Sequence, residues 1–393
     1  MGDLKGQQNK MVERKERNMI STDDEFKDCI NSVKESLIYA MSKGSHELFH
    51  TNIWAWLIER DHSFGNVFFD DFKGDFVRVE RETGNRDLTI WHKDKVRGVI
   101  HAYVVENKFK SVPRESQLDG YAYDLRGQFE KGVLVSLVKP HDIKNTKWNI
   151  LTQAELMDRI EKRIVNSSDF NEFEKNIVFS YIDMTRKLSI LLSYYLNSHG
   201  NVWPLNGVDQ IMEDVKLWDI SSKIKAAELV QYIESQPETK KWHEIARDRS
   251  LILSIRPGFS NKSALLDVRF EKFVRDDTGR NEEQFCIGIQ IQGNQYRRCV
   301  CSHDVNKFKN IKSLYELFST DCDWLNNQDF LGNNTRMRKE FCKYETKDYR
   351  FVYQYVILED GDFKNIYERL KTDIIKAAEI LSENSVIIHQ FLN

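Results

Sequence analysis

Three residues in the first third of the chain have types and a spacing suited to chemistry: Asp87, Glu106 and Lys108. Side chains alternate along a β-strand, so Glu106 and Lys108 would share one face while Asn107 points to the other. Two carboxylates at neighbouring strand ends form an oxygen site of the kind that Mg²⁺ or Mn²⁺ prefers, and the Asn107 backbone carbonyl would complete it. Such a metal polarises a phosphate and activates water, with Lys108 orienting that water, which predicts phosphodiester hydrolysis.

Further polar residues accompany this pattern. Gln117 and Tyr121 are four residues apart, on one face of a predicted helix, where both would hydrogen-bond a phosphate or a base. Glu47 lies in an earlier helix that we expect to pack behind the sheet, within reach of the metal or a ligating water. A D…ExK pattern alone often arises by chance on a surface hairpin with ordinary ion pairs. The additional residues, in this order, favour an enzyme.

The ordered motifs resemble those of the PD-(D/E)xK nuclease superfamily, and within it bacterial members that carry a RecB-like QxxxY helix. The resemblance covers about residues 45–138 and not the remainder. It implies that Asp87, Glu106 and the helical Glu47 are metal ligands. It also implies that Lys108 is the catalytic lysine and that Gln117 and Tyr121 face the DNA. One departure is Arg86, which precedes the aspartate where the family name has proline.

The resemblance also implies a fold and an activity. We expect a restriction-endonuclease-like α/β core, Mg²⁺ or Mn²⁺ as the cofactor and DNA as the substrate, with RNA left open. Defence against phage is a setting suggested by analogy alone. A non-catalytic nucleic-acid-binding module with the same fold is an alternative, and the intact Asp87, Glu106 and Lys108 argue against it.

A rival motif overlaps the early helix. The segment His46-Glu47-Leu48-Phe49-His50 satisfies HExxH, the two-histidine zinc motif of metalloproteases, in which Glu47 would be the general base. No third zinc ligand follows in an obvious helical pattern, and this motif leaves Gln117 and Tyr121 without a role. Capping and packing at a helix start is the plainer explanation for the two histidines.

Composition limits the classes of partner. The chain has 58 Lys and Arg against 61 Asp and Glu, and a pI of about 6.4. No global positive field therefore draws it to nucleic acid or to anionic lipid, and any phosphate-binding surface must be local. The apolar run near residues 189–196 is too short to cross a bilayer, so no membrane contact is expected.

The cysteines and the N-terminus predict a cytoplasmic protein. Six scattered cysteines do not predict a disulfide framework, and the charged leader at residues 1–22 lacks the apolar segment of a signal peptide. Cys299, Cys301 and His303 would share one strand face and form a weak zinc candidate, although buried strand cysteines are common. The basic segments 296–298 and 336–339 are candidate phosphate contacts that solvated charges would equally explain.

Periodicity predicts the elements that position the candidate residues. Helices are expected at about 23–42, with Thr22 and Glu25 as a capping box, and at 46–60. A strand meander at 76–83, 86–92 and 98–108 precedes a helix at 113–126, with Pro113 in its first turn, and a strand at 132–138. The resulting order is ααβββαβ, a mixed sheet flanked by helices, followed by a helical region at 153–197.

A change of composition at 197–207 predicts a boundary between a nuclease domain with a helical extension, 23–200, and a C-terminal α+β domain of unknown role, 205–393. The second domain should contain strands at 251–255, 264–270, 284–292, 295–302 and 349–358, with a hairpin at Gly293-Asn294 and a final helix at 363–381. The apolar stripe at 177–195 predicts a packed helix, with a homodimer seam as the alternative. The C-terminal domain is the other candidate for a protein partner.

Overall fold

The computed structural model describes residues 20, 22–72, 74–109, 115–138, 147–205, 208–275, 281–303, 311–326, 330, 341–346 and 349–383. Within these ranges the chain divides into two compact units. The first runs to Ser198 and also contains Gln210–Ser221, and the second contains His199–Asp209 and the chain from Ser222 onward. Each unit is built on its own β-sheet, so the chain is a mixed α/β protein.

The first unit begins with helices whose limits follow local capping. α1 (Asp23–Glu35) starts at the predicted capping box, in which Thr22 and Glu25 bond to each other's backbone N–H. The single helix predicted over 23–42 is wrong, because Ser36 adopts an extended backbone and caps a second helix, α2 (Leu37–Ser42). α3 (His46–Arg60) has the predicted bounds.

A mixed five-stranded sheet follows two short helices that the sequence did not predict, a 3-10 turn at His62–Phe64 and α4 (Gly65–Phe68). The sheet order is β1 (Asp75–Thr83), β2 (Arg86–Lys93), β3 (Ile100–Lys108), β4 (Phe129–Ser136) and β5 (Trp148–Thr152). β1, β2 and β3 are antiparallel, which confirms the meander. α5 (Glu115–Asp124) crosses over to β4, which is parallel to β3. Pro113 lies outside the described residues.

Helices cover both faces of this sheet. On one face, Leu118 of α5 and Leu125 just after its end pack with the β3 residues Ala102 and Val104. On the other face, α3 contacts β1, β2 and β3, and α6 (Gln153–Asn166) contacts β4 and β5. The end of β3 therefore lies between helices on both sides, which is where the candidate residues are found.

The helical region beyond β5 consists of α6 and α7 (Glu172–His199). The apolar stripe of α7 is buried in the unit's own core from Tyr181 onward, whereas Ile177 is 38% exposed. The Tyr181 hydroxyl contacts α3 through His50 Nδ1 at 2.7 Å and Trp54 Nε1 at 2.9 Å. The packed-helix prediction is thus confirmed, and the stripe is not available as a dimer seam.

The second unit contains a six-stranded antiparallel sheet of order β10-β11-β9-β8-β7-β6. Its strands are β6 (Ile252–Ser260), β7 (Ser263–Arg275), β8 (Asn281–Gln292), β9 (Gln295–Ser302), β10 (Cys342–Thr346) and β11 (Tyr349–Ile357). The hairpin at Gly293-Asn294 is confirmed, with Gln292 opposite Gln295 and Gly293 at φ 53°. The five-residue β10 was not predicted.

α8 (Gln210–Asp214) belongs to the first unit, and α9 (Trp218–Glu234) begins there and continues into the second unit from Ser222. This part of α9 contributes to the core on one face of the second sheet, together with α10 (Pro237–Asp248), α11 (Ile311–Glu316) and α12 (Phe363–Glu383). Trp242 of α10 and Leu370 of α12 join Val268 and Ile289 in the core. Among the helices that the structure describes, none is long and apolar enough to cross a membrane.

The cysteine pairing differs from the sequence expectation. Cys286 on β8 and Cys301 on β9 are direct strand partners with a Cα–Cα distance of 5.0 Å, and they form a disulfide. The sequence predicted no disulfide framework, and this one pair was missed because the register of the hairpin, not the sequence spacing, brings the two cysteines together. The bonded Cys301 cannot serve as a thiolate, so the zinc candidate formed by Cys299, Cys301 and His303 loses its support.

Candidate functional site

Strand pairing brings Asp87 and Glu106 together. Leu88 on β2 lies opposite Val105 on β3, so the next residues along each strand, Asp87 and Glu106, reach the same end of the sheet. Asp87 Oδ2 accepts a hydrogen bond from the Asn107 N–H at 2.6 Å. The antiparallel meander thus places two carboxylates side by side that are nineteen positions apart in sequence.

Lys108 lies directly beside Glu106. Its Nζ is 2.6 Å from Glu106 Oε1, and the Glu106 side chain is 1% exposed. The two residues share a strand face because they are separated by one residue. Asp87, Glu106 and Lys108, which the sequence selects for catalysis, therefore meet at one point between β2 and β3.

Gln117 and Tyr121 also reach this point, where both donate to Glu106. Gln117 Nε2 donates to Glu106 Oε1 at 3.1 Å, and the Tyr121 hydroxyl donates to the same oxygen at 3.1 Å. Tyr121 is 5% exposed. The sequence assigned both residues to nucleic-acid contact, whereas in the structure their donors hold the Glu106 carboxylate.

The hydrogen bonds to Glu106 are strongly asymmetric. Oε1 pairs with the Lys108 ammonium and accepts hydrogen bonds from Gln117 and Tyr121. Oε2 is buried and has no hydrogen-bond partner among the described residues. A buried carboxylate oxygen without a donor is unfavourable and is rare in folded proteins. Oε2 is therefore the atom at which an external ligand would be stabilised.

The carboxylate pair carries more negative charge than the chain compensates. Burial and the Glu106 charge raise the pKa of Asp87 to about 7. Burial also raises the pKa of Glu106, although the charge of Lys108 opposes it. Burial alone would lower the pKa of the Lys108 ammonium, but the Glu106 charge outweighs it and the pKa is raised. The buried Glu106 and the half-buried Asp87, with one ammonium beside them, form a site whose charge a divalent cation would balance.

Glu47 lies close enough to this site for its charge to act on it. It is in the first turn of α3, and its charge acts on both Asp87 and Lys108. Among the described residues there is no group of three or more His, Cys, Asp or Glu side chains placed to hold a metal ion. Of the predicted metal ligands, strand pairing brings together the Asp87 and Glu106 side chains, and the ligand roles of Glu47 and of the Asn107 carbonyl stay predictions.

The roles of the Asn107 side chain and of Gln153 are not predicted by the sequence. Both residues are fully buried. Asn107 Nδ2 donates to the Glu47 carbonyl at 3.0 Å, and Gln153 Nε2 donates to Asn107 Oδ1 at 3.0 Å. The only sequence signal was the capping box of Thr152 and Glu155, which marks Gln153 as the first residue of a helix.

The HExxH histidines belong to the core of the first unit. His46 and His50 are both fully buried and stack on Phe109 with ring centroids 5.0 and 4.6 Å away. Burial lowers the pKa of His50 to about 3, so the ring is neutral, and its Nδ1 bonds to the Tyr181 hydroxyl. These contacts support the packing explanation and not a zinc protease.

No family model, curated protein or solved structure matches the chain. The residues of the site are therefore the basis on which a function is assigned.

Proposed function

We propose that the first unit is a metal-dependent nuclease that hydrolyses phosphodiester bonds. Asp87 and Glu106 bind Mg²⁺ or Mn²⁺, and Lys108 assists the attacking water. The observation that carries the proposal is the Glu106 carboxylate, which is held by three donors on Oε1 and left bare on Oε2 beside Asp87. The motif resemblance favours DNA as the substrate. It also favours a restriction-endonuclease-like core, and a mixed sheet with helices on both faces is compatible with such a core.

The donor set suits a hard divalent cation. Carboxylate oxygens are preferred by Mg²⁺ and Mn²⁺, and both carboxylates here have pKa values that partial or full burial raises. Such a cation supplies Lewis-acid polarisation of the phosphate and lowers the pKa of bound water. Asp87 and Glu106 would hold it, while Gln117 and Tyr121 keep Glu106 in one orientation.

Lys108 has two roles in this arrangement. Its ammonium remains protonated because the Glu106 carboxylate raises its pKa, so it acts as a donor and not as a base. From its position next to Glu106 it would hydrogen-bond the attacking water and offset the charge that develops on the phosphate in the transition state. Preorganised charge of this kind contributes to rate because it needs no rearrangement during the reaction.

The test is cleavage of linear DNA, circular DNA and RNA by the purified full chain with Mg²⁺, Mn²⁺, Zn²⁺ or EDTA. We expect cleavage with Mg²⁺ or Mn²⁺, and losses of about 10²-fold or more in Glu106→Gln and Lys108→Met. Lys131→Met is the matched control, since Lys131 on β4 pairs with Asp71 outside the site.

Two results would contradict the proposal. One is a wild-type protein that cuts none of these substrates with any metal. The other is cleavage that survives in both site variants, which would point to a contaminating nuclease. A wild type that binds DNA without cutting it, with unchanged affinity in Glu106→Gln, would favour the non-catalytic binding module instead.

A further inference from the structure

One residue of the first unit hydrogen-bonds to three different elements around the site. The Asn107 N–H donates to Asp87 Oδ2 on β2 at 2.6 Å. Its side-chain Nδ2 donates to the Glu47 carbonyl on α3 at 3.0 Å. Its Oδ1 accepts from Gln153 Nε2 on α6 at 3.0 Å. A single buried residue therefore joins the carboxylate pair to two helices.

Strand alternation explains this arrangement. Glu106 and Lys108 point to the α5 side of the sheet, so Asn107 between them must point to the α3 and α6 side. There its amide has one acceptor and two donors to satisfy in a fully buried position. Hydrogen bonds in such low-dielectric surroundings are strong and hold their partners in place.

Gln153 is a firm anchor for this amide. It is the first residue of α6, and the capping box of Thr152 and Glu155 fixes the start of that helix. Gln153 is fully buried, and its Oε1 has no hydrogen-bond partner among the described residues. An apolar side chain would avoid that unfavourable atom. Core packing alone therefore does not account for a glutamine at this position.

We propose that Asn107 is a positioning residue, anchored by Gln153, that holds Asp87 and the Glu47 turn of α3 in register with Glu106 and Lys108. The inference rests on the proposed nuclease function and deepens it. It implies that metal affinity depends partly on side chains on the α3 and α6 face of the sheet, opposite to the face that carries Glu106 and Lys108. Neither amide side chain contacts the metal or the substrate. Both act through the groups they orient, as outer-shell residues of metal sites do.

The test uses two near-isosteric apolar variants of the intact chain, Gln153→Met and Asn107→Leu. Gln153→Met removes the unsatisfied Gln153 Oε1 but leaves Asn107 Oδ1 without its donor, so we expect it to fold with a Tm close to that of the wild type. We expect its Mn²⁺ binding, measured by calorimetric titration, to weaken about tenfold, and the Mn²⁺ concentration for half-maximal cleavage to rise similarly. Asn107→Leu should show at least the same loss.

A double variant and a control variant test whether Asn107 and Gln153 act through one network. The double variant should lose little more Mn²⁺ affinity than Asn107→Leu alone, since both changes break one network. Asn149→Ala, on the neighbouring β5, removes an amide to which no role is assigned and should bind Mn²⁺ as the wild type does.

The outcomes separate the two proposals. If Gln153→Met binds Mn²⁺ and cleaves as the wild type does, the positioning role of Asn107 and Gln153 is overturned. A change in Tm without any change in metal dependence would also overturn it, because that is the result of a purely structural contact. If the wild type binds Mn²⁺ but does not cleave, the nuclease proposal fails while the Mn²⁺ comparison still decides the positioning role. A wild type that neither binds Mn²⁺ nor cleaves contradicts both.

Discussion

At the scale of single residues, the defining feature is a pair of carboxylates, Glu106 buried and Asp87 half-buried, that one lysine only partly neutralises. Asp87 and Glu106 both have raised pKa values because they are buried, and in Asp87 the second carboxylate adds to the effect. Without a bound cation, such a pair opposes folding once it is ionised. The site is thus expected to reduce stability in return for metal affinity, as functional sites often do.

Replacement of Asp87 by asparagine should stabilise the metal-free protein. The Asp87 pKa is about 7 in the fold against an ordinary value of 3.8, so the folded state binds more protons than the unfolded state between these values. Stability from this group is full below pH 4 and is lost as the pH rises through 7. We expect Asp87→Asn to raise the free energy of unfolding by roughly 2 kcal/mol at pH 8, and by little at pH 4.

Urea unfolding in EDTA at the two pH values measures this difference, and the variant keeps an oxygen to accept the Asn107 N–H. Excess Mg²⁺ should then raise the Tm of the wild type and leave that of Asp87→Asn unchanged. Equal stabilisation of both proteins by Mg²⁺ would place the metal elsewhere.

At the scale of elements, α5 orients the site from one face of the sheet and α3 with α6 from the other. Gln117 and Tyr121 of α5 both donate to Glu106 Oε1. The QxxxY spacing predicts that these two residues contact nucleic acid, whereas the observed hydrogen bonds orient Glu106. Loss of the first role would weaken DNA binding, and loss of the second would slow cleavage.

Tyr121→Phe should reduce the single-turnover cleavage rate about tenfold and raise the Mg²⁺ requirement, because Glu106 loses one of its donors. DNA affinity, measured with Ca²⁺ in place of Mg²⁺, should not change. Tyr123→Phe is the matched control, since Tyr123 lies on the same helix and is 83% exposed. Weaker DNA binding by Tyr121→Phe at an unchanged cleavage rate would restore the DNA-contact role.

Sequence periodicity was most informative for elements that are long or strongly patterned. The bounds of α3 were predicted as observed, and those of β2 and β3 to within two residues, because apolar residues repeat clearly there. β5 and β10, of five residues each, were missed because so short a segment carries little alternation. The break at Ser36 was missed because the apolar stripe continues across it.

At the scale of the whole molecule, two units divide the chain, and the disulfide belongs to the second of them. Cys286 and Cys301 are 15 residues apart in sequence. Closing a loop of this length stabilises a fold by about 3 kcal/mol in chain-entropy terms. The bond lies far along the chain from the candidate site and should not affect its chemistry.

The Cys286→Ser, Cys301→Ser double variant should lower the stability of the second unit by about 2–4 kcal/mol in denaturant unfolding. Cleavage assigned to the first unit should persist under conditions in which both units stay folded. Cys29→Ser, which changes a free cysteine of the first unit, is the control. Loss of cleavage in the double variant alone would show that catalysis depends on the second unit.

The sequence by itself determined the residue types of the site, their strand and helix context, and the meander that brings Asp87 to Glu106. These follow from short-range alternation and turn chemistry, which are properties of neighbouring residues. Only the tertiary structure decided that Gln117 and Tyr121 hold Glu106, that His46 and His50 are core residues, and that Gln153 anchors Asn107. Each of these contacts joins elements distant in sequence, and their partners depend on how helices pack across a sheet, which no local pattern encodes.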